Sequence, residues 1–162
     1  MQELTFPIPP SEEECKLYYY GLPRCPRLVA RSSSHVWVKR QMPPGRTAPI
    51  GNENLVPKAL MPCSEHPSYQ LWFNPECPLQ KQIIQVVNTA AWTVCTAVDI
   101  FGIGYNDGVN EDFPATLMIT VKPGKLSWSA GYDIARRCKL ILEAHNILDV
   151  ECEIRESIIW YR

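Results

Sequence analysis

The chain has 162 residues, of which 46% are hydrophobic and 20% are charged, and its formal net charge is -1. This length suits one domain with its own core, and the balanced composition excludes a disordered acidic tail and a strongly basic nucleic-acid binder. We therefore expect a globular protein whose function does not depend on a large overall charge.

The N-terminal residues and the cysteines favour a cytoplasmic protein. Residues 1–14 are acidic and lack the basic start and apolar core of a secretory signal. The longest nearly apolar stretch, residues 90–104, is too short to span a membrane and contains Asp99. The seven cysteines are an odd number, and Cys95, Cys138 and Cys152 lie in apolar patterns where a free thiol packs as a small hydrophobic group. We expect reduced cysteines and no membrane contact.

Proline divides the chain into two halves with different patterns. Thirteen of the 15 prolines lie at or before Pro78, which excludes long helices from residues 1–77. The same residues are too rich in aromatic side chains for a disordered linker. We therefore expect residues 1–77 to be an irregular segment that wraps onto an α+β domain at residues 78–162, the two folding as one unit.

Two stretches of the first half have a recognisable local pattern. Residues 27–31 and 35–39 flank a serine-rich turn and predict a short hairpin. Residues 41–62 contain repeated proline and glycine, and we expect them to form an exposed irregular connection.

Regular elements begin at Pro78. Apolar residues from Leu79 to Ala90 recur at helical spacing and predict helix one. Residues 92–104 change to a period of two and are apolar on both sides, which is typical of a strand covered on both faces. Residues 115–121 alternate apolar residues with Thr116, Met118 and Thr120, which predicts a half-buried strand two.

A second helix and a third strand complete the pattern. Ser127 or Ser129 can cap a helix whose apolar stripe ends near Asn146. Residues 149–157 then alternate strictly, and we expect a strand with one buried and one solvent-facing side. The inward residues are Val150, Cys152 and Ile154, and the outward residues are Glu151, Glu153 and Arg155.

These elements predict an α+β fold in the order α-β-β-α-β. A right-handed crossover through the second helix makes strands two and three parallel. Because strand one is apolar on both sides, we place it between the other two. The result is a small mixed sheet of order 2-1-3 with both helices on one face.

Four segments carry a resemblance to a protein family. They are Tyr18-Tyr-Tyr-Gly-Leu-Pro23, Arg27-Leu-Val-Ala-Arg-Ser-Ser33, Val36-Trp-Val38 and Asp149-Val-Glu-Cys-Glu-Ile-Arg-Glu-Ser157. Over nearly its whole length the chain resembles a family of uncharacterised fungal proteins. Longer members continue into a second domain with a Thr-Ala-Arg-His motif that resembles the histidine segment of trypsin-like folds. The resemblance implies an accessory module that ends before this domain, so no activity carries over.

A metal site is the first alternative to ordinary loop residues. Cys63, His66 and Cys77 could supply soft ligands to zinc, with Cys15 or Cys25 as a fourth. A strong zinc motif has two close pairs, whereas here only Cys63 and His66 are close. We therefore interpret these residues as ordinary loop residues and expect no metal or other cofactor.

A run of positive charge is the second alternative. Between Lys16 and Asn52 the chain has seven cations and no carboxylate. The cations are Lys16, Arg24, Arg27, Arg31, Lys39, Arg40 and Arg46. Such a run can bind phosphate or a nucleic-acid strand. We favour neutralisation by carboxylates of the C-terminal half and expect no nucleic-acid partner.

The chain has no recognisable catalytic motif. It lacks a Gly-x-Ser-x-Gly elbow, a His-Glu-x-x-His motif and a P-loop. Glu151 and Glu153 could act as an acid and a base, but a row of alternating charges is more typical of a solvated strand face.

We therefore favour a non-catalytic interaction or accessory module, whose partner is another protein or the missing downstream domain. The alternative is a small-molecule-binding or anion-binding protein, or an enzyme, accessory to a specialised-metabolite pathway. Its site would lie between the two halves. The candidate binding residues are Arg27, Arg31, His35, Glu153 and Arg155.

Overall fold

The computed structural model describes residues 7–45 and 54–158, which form four helices and five strands. The helices are α1 (Glu12–Leu17), α2 (Pro67–Phe73), α3 (Leu79–Ala91) and α4 (Trp128–Ala144). The strands are β1 (Arg27–Arg31), β2 (Lys58–Met61), β3 (Cys95–Tyr105), β4 (Ala115–Val121) and β5 (Glu151–Glu156). The α+β class is therefore confirmed. None of the helices in these two ranges is long and apolar enough to cross a bilayer.

The two long helices form where the sequence predicts them. Pro78 directly precedes α3, whose apolar residues are buried along one side. The Ser127 hydroxyl accepts a hydrogen bond from the Ala130 amide at 3.2 Å and so caps α4. After α4, Asn146 has a φ of 60°, a left-handed conformation that is common where helices end. Local signals therefore suffice to start α4 and to end it.

All five strands belong to one mixed sheet with the order β1-β5-β4-β3-β2. β4 and β5 are parallel, as a crossover through α4 predicts, and the other neighbouring strands are antiparallel. The predicted order 2-1-3 is wrong, because β4, and not β3, lies between the other two C-terminal strands.

β4 is central because both of its faces are covered. Every residue of this strand is buried, including the side that was expected to face solvent. The Thr116 hydroxyl donates to the Pro114 carbonyl at 3.1 Å, and the Thr120 hydroxyl accepts from the Arg155 guanidinium at 3.1 Å. The polar groups of β4 are thus satisfied without water, which allows this strand to occupy the middle of the sheet.

The N-terminal half supplies both edge strands. β1 pairs with β5, and β2, which lies inside the stretch expected to be irregular, pairs with β3. The predicted hairpin does not form, since residues 35–39 are not a strand. The Arg31 guanidinium donates to the carbonyls of Ser33 and His35, so the chain turns around this side chain and does not pair back onto β1.

The sheet separates two hydrophobic clusters. On one face, α3 and α4 bury the apolar side of β4. On the other face lies a smaller cluster of Tyr19, Leu22, Leu28, Ile103 and Met118. β5 therefore has no fully wet side, and Glu153, which was expected to face solvent, is only 8% exposed. Glu153 is buried for the same reason as the second face of β4, because N-terminal residues cover this side of the sheet.

Candidate functional site

A groove of about 740 Å³ lies beside the edge strand β1. Its walls are residues 7–11 with Glu14, residues 31–37, which run from the end of β1 into the following loop, and Trp128, Tyr132 and Arg136 of α4. We call it the Trp–Tyr groove. Its volume falls within the range of pockets that hold small molecules.

The α4 wall of the groove is an aromatic and cationic series. Trp128, Tyr132 and Arg136 are spaced by four residues and therefore share one side of the helix. The rings of Trp128 and Tyr132 stack with their centroids 5.4 Å apart. The Arg136 guanidinium donates only a long hydrogen bond, 3.5 Å, to the Ser32 carbonyl, and no carboxylate of the described residues forms an ion pair with it.

Two predicted binding residues, Arg31 and His35, line this groove. Arg31 forms an ion pair of 2.9 Å with Glu14, and the two side chains are only 12% and 10% exposed. The same guanidinium holds the carbonyls of Ser33 and His35. Arg31 therefore shapes the loop and has its charge neutralised, which leaves Arg136 as the cation able to attract a ligand.

The other three predicted residues lie elsewhere. Arg27 forms exposed ion pairs with carboxylates of α1 and β5 at 2.8 and 3.5 Å. Arg155 is held by the Thr120 hydroxyl and lies over the ring of Phe101. Glu153 belongs to a separate cluster on the sheet face opposite α3 and α4. The structure thus brings two of the five residues together.

We call the group around Glu153 the tyrosine–lysine cluster, which consists of Tyr18, Tyr19, Lys58, Tyr105 and Glu153. The Glu153 carboxylate accepts hydrogen bonds from the Tyr18 and Tyr19 hydroxyls, both at 2.8 Å. The Lys58 ammonium lies 3.6 Å from the ring centroid of Tyr18, 5.3 Å from that of Tyr105 and 5.7 Å from that of Tyr19. These distances are typical of cation–π contacts.

Burial alters the acid–base properties of this cluster. Loss of solvation lowers the pKa of Lys58 to about 8, although the nearby Glu153 carboxylate opposes this change. Burial, together with the same carboxylate, raises the pKa of Tyr18 and of Tyr19 above the ordinary value. The tyrosines therefore remain protonated donors to Glu153, while part of the Lys58 population is neutral near pH 7.

A Lys58→Met variant tests this electrostatic description. The Lys58 pKa is about 8 in the folded protein and near 10.5 when unfolded, so the folded protein binds fewer protons between these values. The stability of the natural protein relative to the variant should therefore rise with pH across this window. We expect a change on the order of 2 kcal/mol in the difference between their free energies of unfolding, after allowance for solvent screening. Urea unfolding in chloride-free buffer measures it, and a constant difference from pH 7.5 to 10.5 contradicts the prediction.

His66 forms an array that resembles a catalytic triad. Its Nε2 lies 2.8 Å from an Asp149 carboxylate oxygen, and its Nδ1 lies 2.7 Å from the Ser68 hydroxyl. Ser68 is fully buried, and its amide donates to the same Nδ1 at 3.1 Å. A buried hydroxyl cannot reach a substrate, so we interpret the array as a cap for α2. The contact with Asp149 also joins this helix to the segment just before β5. The hydrogen bond from His66 lowers the pKa of Asp149.

The residues considered as zinc ligands have structural surroundings. Cys63 and Cys77 pack against the larger hydrophobic cluster, and His66 caps α2. All seven cysteines are free thiols. In residues 7–45 and 54–158, no group of three or more His, Cys, Asp or Glu side chains is arranged to hold a metal ion.

The basic run is largely neutralised within the fold. Arg27, Lys39 and Arg31 form ion pairs with the acidic first turn of α1, at Glu12, Glu13 and Glu14. Arg40 forms an ion pair with Asp107 at 3.4 Å. Most of the partners therefore come from the helix just ahead of the run, and not from the C-terminal half as expected. Arg46 lies outside the described residues.

No family model, curated protein or solved structure matches this chain. The interpretation of its surfaces therefore depends on their geometry and charge.

Sequence reasoning did not single out the α4 residues of the groove or Lys58. A usable signal for α4 exists, because two aromatic residues and an arginine at successive spacings of four share one side of a predicted helix. Lys58 has no comparable signal, since it follows Pro57 in a stretch without periodicity.

Proposed function

We propose that the protein is a non-catalytic binding module, and that its ligand is a small organic anion with an aromatic body. The observation that carries this proposal is the α4 wall of the Trp–Tyr groove, where stacked rings adjoin a guanidinium that lacks a carboxylate partner among the described residues. The rings offer apolar contact area, and the guanidinium offers a charge-assisted hydrogen bond.

The loop opposite α4 supports the same ligand chemistry. Ser34 and His35 line the groove and can donate hydrogen bonds to an anionic group. Residues 7–11 include three of the prolines, whose restricted backbone offers a preformed wall that loses little entropy on binding. A preformed cleft with aromatic walls and a few polar groups is typical of a small-molecule site.

The polar groups of the groove favour binding over catalysis. The Ser32 hydroxyl donates to the Glu151 carboxylate, but Ser32 is only 6% exposed and its oxygen also accepts the Cys152 amide, so this pair joins the end of β1 to β5 and does not face a ligand. Arg31 is neutralised by Glu14. In the described part of the chain, no hydroxyl or thiol is hydrogen-bonded to the imidazole of His35. Among the described residues, the groove therefore has no accessible nucleophile activated by a general base, which covalent catalysis requires.

The test uses 8-anilinonaphthalene-1-sulfonate, a ring system with one anionic group, as the probe. We expect saturable binding to the folded protein and a dissociation constant that is 10- to 100-fold higher for Arg136→Gln, because one charge-assisted hydrogen bond is lost. Fluorescence titration, repeated by calorimetry, measures both constants.

Arg137→Gln is the matched control. Arg137 is the next residue of α4, but it is exposed and contacts Asp133 at 3.8 Å. Its removal should leave the dissociation constant of the probe unchanged. Equal affinity for both variants, or an absence of saturable binding to the natural protein, would sink the proposal.

A second candidate function is a docking surface for a protein partner, such as the downstream domain of the longer relatives that the sequence resembles. It is favoured by Ile8 and Val36, which line the groove and are 85% and 87% exposed. A protein partner would bury both side chains, whereas a small anion need not. A Val36→Ser variant that loses binding to a separately expressed second domain while keeping the affinity for the probe would favour this candidate.

The broader role we propose is that of an accessory module in the cytoplasm, within the fungal family that the sequence resembles. An aromatic, anionic ligand in the groove would be consistent with a role accessory to a specialised-metabolite pathway. Support for this role comes from the sequence resemblance.

A further inference from the structure

A second concavity, much smaller than the groove, lies next to the tyrosine–lysine cluster. We call it the Tyr20–Lys58 cleft, and its free volume is about 10 Å³. The Lys58 amide donates to the Tyr20 carbonyl at 2.7 Å, which fixes these two residues side by side. The lining residues are Leu17, Tyr18, Tyr20, Trp37, Lys39, Arg40, Leu55, Val56, Lys58 and Tyr105.

Two polar groups of this cleft lack hydrogen-bond partners among the described residues. The Tyr20 hydroxyl is buried and unpaired. The Lys58 ammonium contacts only tyrosine rings and forms no hydrogen bond or ion pair with the described side chains. Because an unpaired buried hydroxyl costs roughly 1–3 kcal/mol, the Tyr20 hydroxyl indicates a missing partner, and the Lys58 ammonium lines the same cleft without a described counter-charge.

The charge of the lining indicates the kind of partner. Lys39, Arg40 and Lys58 line the cleft, and no carboxylate does. Lys39 and Arg40 are ion-paired outside it, with Glu13 and Asp107, which leaves the Lys58 charge. The nearby Glu153 carboxylate acts on the Lys58 charge but is not a direct partner, because no hydrogen bond or ion pair joins the two groups, whereas the Tyr18 and Tyr19 hydroxyls both donate to it.

The size of the cleft limits what can enter. A volume of about 10 Å³ is close to the minimum for one water-sized particle. A monatomic halide is somewhat larger than a water molecule and would protrude at the open side of the cleft, whereas phosphate, sulfate and organic carboxylates would lie mostly outside it. A water molecule would fit but would leave the ammonium without a counter-charge.

We propose that the Tyr20–Lys58 cleft binds one small inorganic anion of the size of chloride, held by the Lys58 ammonium and the Tyr20 hydroxyl. The site is independent of the Trp–Tyr groove, although Trp37 lines both. The anion would supply the acceptor that both groups lack.

The experiment is a chloride and bromide titration of thermal stability at pH 7 and constant ionic strength, with gluconate as the large replacement anion. We expect a saturable rise in Tm of about 3 to 5 °C at a tenfold excess over the dissociation constant. Lys58→Met should abolish the rise, and Tyr20→Phe should weaken halide affinity about tenfold. Lys16→Met, which removes an exposed lysine of α1, should keep the full rise.

The pH dependence gives a second readout. The charged or titratable groups that act on Lys58 are Glu14, Arg31 and Glu153, with the tyrosine rings around it. Since Lys58 loses its proton above pH 8, the halide response should fade there, and ³⁵Cl line broadening by the natural protein should fade in parallel. An equal rise in Lys58→Met would show a general salt effect. A natural protein that shows neither a saturable rise nor line broadening would show that only water enters the cleft. Either result overturns the proposal.

Discussion

Glu153→Ala should lower the free energy of unfolding by about 4 kcal/mol, the largest effect we expect of any single substitution. Glu153 is 8% exposed and accepts both tyrosine hydroxyls at 2.8 Å. Its removal leaves the buried phenols of Tyr18 and Tyr19 without this acceptor and opens a cavity between the first helical segment and the sheet. Urea unfolding followed by far-UV circular dichroism measures the loss.

Two further variants show whether the loss comes from the hydrogen bonds. Glu153→Gln keeps one acceptor oxygen and the side-chain volume, so its cost should be about half as large. Glu143→Ala, on the exposed side of α4, should change stability by less than about 0.5 kcal/mol. If Glu153→Ala is as mild as Glu143→Ala, then Glu153 is solvated and the tyrosines do not cover this face.

Met118→Ala should cost about 3 kcal/mol, because it creates a cavity in the middle of the sheet. Met118 is fully buried, and its sulfur lies 3.9 Å from the Tyr19 hydroxyl. The measurement also tests the sheet order. If β3 were central, Met118 would lie on a half-buried strand with its side chain in solvent, and its truncation would cost little.

Leu140→Ala is the control for this measurement. Leu140 is also apolar and lies in a regular element, but it is 55% exposed. Its truncation should cost less than about 1 kcal/mol. Similar losses for Leu140→Ala and Met118→Ala would contradict a buried second face of β4.

The groove and the cleft flank one short segment of the chain. Trp37 lines both concavities, and Arg31 holds the loop that leads to it. A ligand in the groove and an anion in the cleft would therefore each contact the same indole. The two proposals remain separable, because Arg136 lines only the groove and Lys58 lines only the cleft.

The nominated binding residues show how far sequence reasoning reached. Arg31 and His35 are predicted to reach an anionic ligand between the two halves of the chain, and both line the groove. Arg136 and Lys58 resemble ordinary surface cations in the sequence. What distinguishes them is a position beside aromatic rings in a concavity, without a described ion-pair partner, and such a position is a property of the whole surrounding fold.

The sequence by itself determined the α+β class, the positions of α3 and α4 and the parallel pairing of β4 with β5. These features follow from periodicity, caps and crossover handedness, which act over a few residues or along one connection. Only the tertiary structure decided that β4 is central and that Glu153 is buried. Both depend on Tyr19 and its neighbours, which lie about a hundred residues earlier in the chain and cover the second face of the sheet. In the sequence, the residues on this face alternate as threonine, methionine and charged residues, a pattern that resembles a solvent-exposed surface.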